Sequence, residues 1–229
     1  MLVLGHRGAS AHFSENTLPA FRGALDDGAD GVELDVRRTA DGSLAVRHEP
    51  TLPDGRPLLA LSETELPGEI PLLGAALDVL RPATVVNVEI KNWPDDPDFD
   101  ASEELAERVV ALLEERDELD DGRLLVSAFH LPTVDRVHEL APGLATGWLV
   151  LDALDPGPLV ERVAKHGHVA LHPHHVFVNE ELVRLAHTSG LAVNTWTCDD
   201  ADRIAWLADI GVDAVVTNHP LVALRALAR

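Results

Sequence analysis

Leu4–Pro50 reads LGHRGASAHFSENTLPAFRGALDDGADGVELDVRRTADGSLAVRHEP. It opens on a short apolar run that ends in Gly5-His6-Arg7-Gly8, so His6 and Arg7 leave a strand where Gly8 permits a sharp turn. Asn16–Gly28 has the marks of a helix: Asn16 as expected N-cap, Pro19 early, Leu18, Phe21 and Leu25 at helical spacing, and Gly28 as stop. Residues 31–36, GVELDV, form a second strand. Alternation puts Val32, Leu34 and Val36 on one face and Glu33 and Asp35 on the other. Two carboxylates on the inner face of a buried strand repel each other and are costly to bury without a cation between them. A divalent metal is the simplest answer, and hard ions such as Mg2+ and Ca2+ take carboxylate oxygens.

Outward from this stretch the same grammar repeats. Asp41-Gly42 signals a tight turn, after which SLAVRH returns as a short strand that brings His48 back towards the carboxylates. Residues 51–71, rich in Pro, Gly and acids, read as a short loop insertion following the second strand and its hairpin. A helix over 72–80 precedes TVVNVEIK, where Asn87, Glu89 and Lys91 alternate with Val88 and Ile90. Further helices are expected over 101–116, 132–140, 156–166, 179–188, 199–209 and 219–228. Between them lie strands RLLVSAF, ATGWLV, HVALH, AVNTWT and DAVVTN. About eight strand–helix units close a (β/α)8 TIM barrel, and one domain over 1–229 is slightly shorter than the roughly 250 residues usual for it. A doubly wound sheet is the competing arrangement, but no Gly-rich dinucleotide loop supports it.

Composition narrows the class. The 18 Lys and Arg against 39 Asp and Glu give a net charge of −21, which opposes nucleic acid and anionic membrane but not a small anion held by focused cations. Met1–Leu4 lacks the basic start of a signal peptide, and no run suits a membrane span, so no stable membrane insertion is expected. The single cysteine, Cys198, fits a reducing, cytoplasmic compartment. Without a cysteine–histidine pair it is not expected to act as a nucleophile.

In such barrels the active site lies at the C-terminal ends of the strands. The residues expected there are His6, Arg7, Glu33, Asp35, Glu89, Lys91, Phe129, Trp148, His172, Asn194 and Trp196. His12, His130, His138, His166, His168, His187 and His219 are read as surface or packed histidines, and Trp93 and Trp206 as packing residues. His172 either touches substrate or packs.

The segments HRG, ENT, ELDV, a following histidine, EIK and WT, in this order, resemble the glycerophosphodiester phosphodiesterase family along nearly the whole chain. The resemblance implies a hydrolase that uses one divalent metal ion, Mg2+ or Ca2+, to cleave a small-molecule glycerophosphodiester into glycerol 3-phosphate and an alcohol. It implies Glu33, Asp35 and Glu89 as metal ligands, His6 and His48 as the acid/base pair, and Arg7 and Lys91 as phosphate-binding residues. Trp196 is implied as a wall for glycerol or leaving group, and Phe129 and His172 join the substrate-binding set. Glu15 is expected to orient the histidine or arginine. Two departures stand out: His48-Glu49 replaces the usual His-Asp, and NTWTCDD lacks the asparagine that commonly follows Trp-Thr-Val. The resemblance also raises attack by the glycerol 2-hydroxyl through a cyclic phosphate. Competing readings are a related barrel acting on choline lipids, as phospholipase D toxins do, and a non-catalytic phosphoester-binding barrel.

Overall fold

The computed structural model describes residues 1–120 and 122–229. Nine strands are present among the described residues: β1 (Leu2–His6), β2 (Gly31–Arg38), β3 (Leu44–Val46), β4 (Val85–Ile90), β5 (Leu124–Ala128), β6 (Ala145–Val150), β7 (Ala170–Pro173), β8 (Ala192–Thr195) and β9 (Ala214–Thr217). The helices are α1 (Leu18–Asp26), α2 (Leu73–Val79), α3 (Glu104–Glu115), α4 (Leu131–Leu140), α5 (Pro156–Lys165), α6 (Glu180–Thr188), α7 (Ala201–Asp209) and α8 (Pro220–Ala226). Strand order is β1-β9-β8-β7-β6-β5-β4-β2-β3. Because β1 also pairs with β2 in parallel, the sheet closes on itself as a barrel and β3 remains outside it, antiparallel to β2. The expected TIM barrel is therefore observed.

Parity along the strands decides which side chains reach the interior. Val32, Leu34, Val36, Val86, Val88 and Ile90 point outwards and pack with Phe21, Leu73, Leu77 and Val109 in one buried apolar cluster. Burying each large aliphatic or aromatic side chain contributes roughly 1.5–3 kcal/mol. Glu33, Asp35, Asn87 and Glu89 occupy the alternate positions, with Glu33 level with Asn87 and Asp35 level with Glu89. Trp148 departs from expectation. It belongs to the outer cluster with Leu131, Leu159 and Leu171, under the Arg162 guanidinium, while its neighbours Gly147 and Leu149 take the inward positions.

Two local expectations are corrected. Thr17, not Asn16, caps α1: its Oγ1 accepts from Ala20 N, and Asn16 sits at φ 56° with its side chain turned to Asp35. The 51–71 insertion is not a plain loop. It folds through 3-10 turns at Leu58–Ala60 and Glu63–Glu65 onto its own buried group of Ala45, Leu52, Leu58, Leu61 and Ile70. Among the described residues no helix is long and apolar enough to cross a membrane.

Candidate active site

The strand ends build the site from both halves of the first unit. Gly8, at φ +87°, carries the chain off β1 so closely over α1 that a Cβ there would lie 2.5 Å from the Ala20 carbonyl carbon. Arg7, itself at φ 55°, is thereby folded back, and its N–H donates both to Glu33 O at 2.8 Å and to Glu33 Oε2 at 3.1 Å. Its guanidinium reaches Glu15 Oε2 and Asp35 Oδ2, each at 2.9 Å, so Glu15 does position the arginine as expected.

Glu33, Asp35 and Glu89 converge as the strand alternation predicts, each buried, with ligating oxygens within 4.8 Å of one another. Lys91 joins them, its Nζ 2.6 Å from Glu89 Oε1 and 3.7 Å from Asp35 Oδ1. Fully ionised, the three carboxylates outnumber Arg7 and Lys91 by one negative charge inside the barrel mouth. Burial, together with the Asp35 and Glu89 charges, pushes the Glu33 carboxyl well above its ordinary range. Burial also raises Glu89 despite Lys91. For Asp35 burial acts upwards but is outweighed by Lys91, Arg7, His48 and the Asn16 amide, which hold its carboxyl low. Glu33 Oε1 and Asp35 Oδ1 are buried oxygens without a hydrogen-bond donor. A divalent cation fits this set: it would satisfy both oxygens and reverse the charge excess, using the all-oxygen donors that hard ions take.

Both histidines are held at Nδ1. His6, level with Glu33 across the sheet, shares a 2.7 Å hydrogen bond with Asn218 Oδ1. Asn218 in turn donates to Asp199 Oδ2 at 2.7 Å, and Ser10 Oγ donates to the same Asn218 oxygen. His6 Nδ1 is therefore the protonated nitrogen, and Nε2, 4.0 Å from Glu33 Oε2, carries the lone pair. Burial and the neighbouring Arg7 charge lower the His6 pKa and keep the ring neutral. His48 Nδ1 lies 2.7 Å from Glu49 Oε1, so the longer Glu49 makes the contact that a shorter acid would otherwise have to make.

Arg37 holds the His48 loop. Its side chain is buried, its Nε donates to His48 O at 2.5 Å, and its two terminal nitrogens pair with Asp98 at 2.6 Å and Asp96 at 2.8 Å. Arg37, Asn218, Asp199 and this aspartate pair were not expected from sequence. A polar residue ending the last barrel strand was the available signal for Asn218; Arg37 offered none, because its partners come from a distant loop.

Two cavities meet at Glu89. The outer one, about 270 Å³, is lined by His48, Glu89, Lys91, Trp93, Phe129 and Leu151 among others. The inner one, about 20 Å³, is bounded by His6, Glu33, Glu89, His172 and Trp196. Phe129 lies just beyond β5 and meets Trp196 and Trp93 edge to face at 5.2 and 5.9 Å. Trp93 is thus no packing residue but a half-exposed wall of the outer cavity. Trp196 is fixed by its Nε1 donating to His172 O at 2.8 Å. His172 is buried in the floor, where Gly147 leaves room for its ring and the Asn194 amide lies 3.1 Å from its Nε2. Cys198 is buried, and burial pushes its thiol pKa up.

Comparison with known proteins covers nearly the whole chain. The model of the glycerophosphoryl diester phosphodiesterase family matches residues 6–57 and 53–222. The chain is 28% identical to a glycerophosphodiester phosphodiesterase of Bacillus altitudinis, over 95% of this chain and 94% of that one. A glycerophosphodiester phosphodiesterase structure from Thermotoga maritima superposes with a TM-score of 0.81 at 30% identity, covering 100% of this chain and 98% of the other. A phosphodiesterase from Oleispira antarctica, solved with its product sn-glycerol-3-phosphate, gives a TM-score of 0.89 at 25% identity over 100% and 97% of the two chains.

Proposed function

The chain belongs to the glycerophosphoryl diester phosphodiesterase family, and from that premise we propose that it hydrolyses glycerophosphodiesters to sn-glycerol 3-phosphate and an alcohol. The observation that carries this reading is the convergence of Glu33, Asp35 and Glu89 within 4.8 Å, beside His6 and His48 and the cations Arg7 and Lys91. Glu33, Asp35 and Glu89 would hold one divalent cation, Mg2+ or Ca2+, whose charge stabilises the non-bridging oxygens of the phosphate.

The remaining work falls to the chain's own groups. Arg7 and Lys91 face the phosphate oxygens that gain charge in the transition state, and both stay fully charged because the carboxylates around them raise their pKa values against burial. Neutral His6 accepts the proton of the attacking hydroxyl at Nε2. His48, hydrogen-bonded to Glu49, gives a proton to the departing alkoxide. The alcohol then leaves along Trp93, Phe129 and Leu151, while Trp196 and His172 close the inner side around the glycerol.

The first nucleophile is the glycerol 2-hydroxyl. Held beside phosphorus it has a high effective molarity, so it outruns external water and forms a 1,2-cyclic phosphate. Hydrolysis of that ring follows with the histidine roles exchanged. The acidic balance of −21 supports a small-molecule substrate in place of nucleic acid, and a lone buried cysteine supports a cytoplasmic location.

The test is an assay of glycerophosphocholine, its 2-deoxy analogue and sphingomyelin, with and without Mg2+ or Ca2+. Release of glycerol 3-phosphate is expected only from the first and only with metal, with a transient cyclic phosphate visible by phosphorus NMR. Release of choline from sphingomyelin alone would establish the choline-lipid reading, and binding without turnover of any substrate the non-catalytic one. Rapid cleavage of the 2-deoxy compound would replace the cyclic route with attack by water.

A further inference from the structure

A second cluster of ligating side chains stands at the opposite end of the barrel, where strands begin. Asp135 and His138 lie one turn apart on α4, His166 ends α5, and His168 precedes β7. Asp135 Oδ1 meets His166 Nδ1 at 2.8 Å and His168 Nε2 at 3.1 Å, and the three ligating atoms lie within 4.8 Å of one another. Gly167, at φ +82°, makes this possible: a Cβ there would sit 2.7 Å from His138 Nε2, so only glycine lets the His166-Gly167-His168 turn close against α4. His138 itself lies edge-on to His168 with ring centroids 6.0 Å apart.

We infer that Asp135, His166 and His168 form a second metal site, for a borderline transition ion of the Zn2+ or Ni2+ class, which staples α4 to the α5–β7 turn. Imidazole with one carboxylate suits such ions and not Mg2+ or Ca2+. Tetrahedral ligands at the usual Zn–N and Zn–O lengths stand about 3.3 Å apart, so the two spacings here open by only a few tenths of an ångström to admit the ion. The ring of His168 is already oriented. Its side chain is wholly buried and its Nδ1 lies 3.0 Å from Thr146 Oγ1. The Thr146 hydroxyl donates to Nδ1 while Nε2–H bonds Asp135, and accepts from Nδ1–H once Nε2 carries a metal. One hydroxyl thus serves both tautomers, as the outer partners of metal-bound histidines do. His166 and Asp135 are about one third exposed, which leaves the fourth position to water or to His138.

The staple joins segments that separate on unfolding, so it binds the native state alone and raises its stability. It is remote from the rim, and phosphodiesterase turnover is independent of it.

The experiment compares the wild-type chain with His166→Ala and Asp135→Asn, both at partly exposed positions, in saturating Mg2+. Zn2+ retained per chain is measured by equilibrium dialysis with elemental analysis, and the thermal midpoint is followed against Zn2+ concentration. Wild type is expected to retain one Zn2+ more than either variant and to show a Zn2+-dependent rise in midpoint that both variants lose, while all three keep the same Mg2+-supported turnover. Equal Zn2+ retention and equal midpoint shifts in wild type and variants overturn the site. Should a variant fail to fold, as judged by circular dichroism and turnover, the visible absorption of Co2+ bound to wild type decides: an octahedral, oxygen-only spectrum overturns the proposal, and a tetrahedral, nitrogen-containing one supports it.

Discussion

Acid should unfold this barrel partly through His172. The side chain is fully enclosed in the floor of the site, and burial lowers its pKa to about 3. Unfolded, the ring returns to roughly 6.5. Between those values the unfolded chain binds the extra proton, so stability rises with pH; the contribution is complete above about 6.5 and is lost as pH falls towards 3. At pH 5 the ring alone removes roughly 2 kcal/mol, since an unfolded pKa about 1.5 units above the solution pH multiplies 1.36 kcal/mol per unit. His6 and His168 are also lowered by burial and steepen the wild-type profile, so the isolating perturbation is His172→Gln. Urea unfolding at pH 7.5 and 5.0, at constant ionic strength, gives the loss of stability in each chain. The wild-type loss should exceed the variant's by roughly 2 kcal/mol. Equal losses in the two chains would show that the buried ring finds a compensating partner, and would refute the assignment of His172 as a neutral floor residue.

Glu89→Ala should abolish calorimetrically detected Mg2+ or Ca2+ binding, because the three carboxylates share one ion; unchanged affinity would place the metal elsewhere. His6→Ala and His48→Ala should each keep fold and metal binding but lose about 10²–10⁴ in kcat, and near wild-type turnover in either would remove that histidine from proton transfer. Arg37→Ala should cost about 1–3 kcal/mol by leaving the largely enclosed Asp98 carboxylate without its guanidinium donor, and should lower kcat more than it raises KM as the His48 loop loosens; a variant as stable as wild type in urea would show that the Arg37 pairs contribute nothing net.

The convergence of Glu33, Asp35 and Glu89 is legible because the strands that carry them announce their parity. In GVELDV and TVVNVEIK every second residue is aliphatic, so the remaining positions had to face inwards together. ATGWLV has no such contrast, so its pattern leaves Trp148 as a rim candidate, whereas Gly147 and Leu149 occupy the inward positions. The same limit governs α1. Asn16 and Thr17 are both good capping types, and the choice between them is made by Asp35, nineteen residues on, whose buried carboxylate and N–H claim the Asn16 amide at 2.8 and 3.2 Å. Local chemistry narrowed the cap to two neighbours, and a long-range contact selected one.

The residues that local sequence does not mark are those whose meaning lies wholly in partners. In sequence Arg37 looks like a solvent-exposed residue following GVELDV, yet it lies within β2, where Asp96 and Asp98, about sixty residues on, pair with its buried guanidinium. Its charge is then spent on those aspartates, not on phosphate, and what it secures is the backbone of His48. Asn218 likewise gains a role only once the barrel closes and brings β9 beside β1. The two histidines are therefore fixed by groups outside the carboxylate cluster, Asn218 at the His6 ring and Arg37 at the His48 backbone. Loss of such a group should misplace its histidine and lower kcat before it disturbs substrate affinity, which separates positioning from binding in any kinetic dissection of this site.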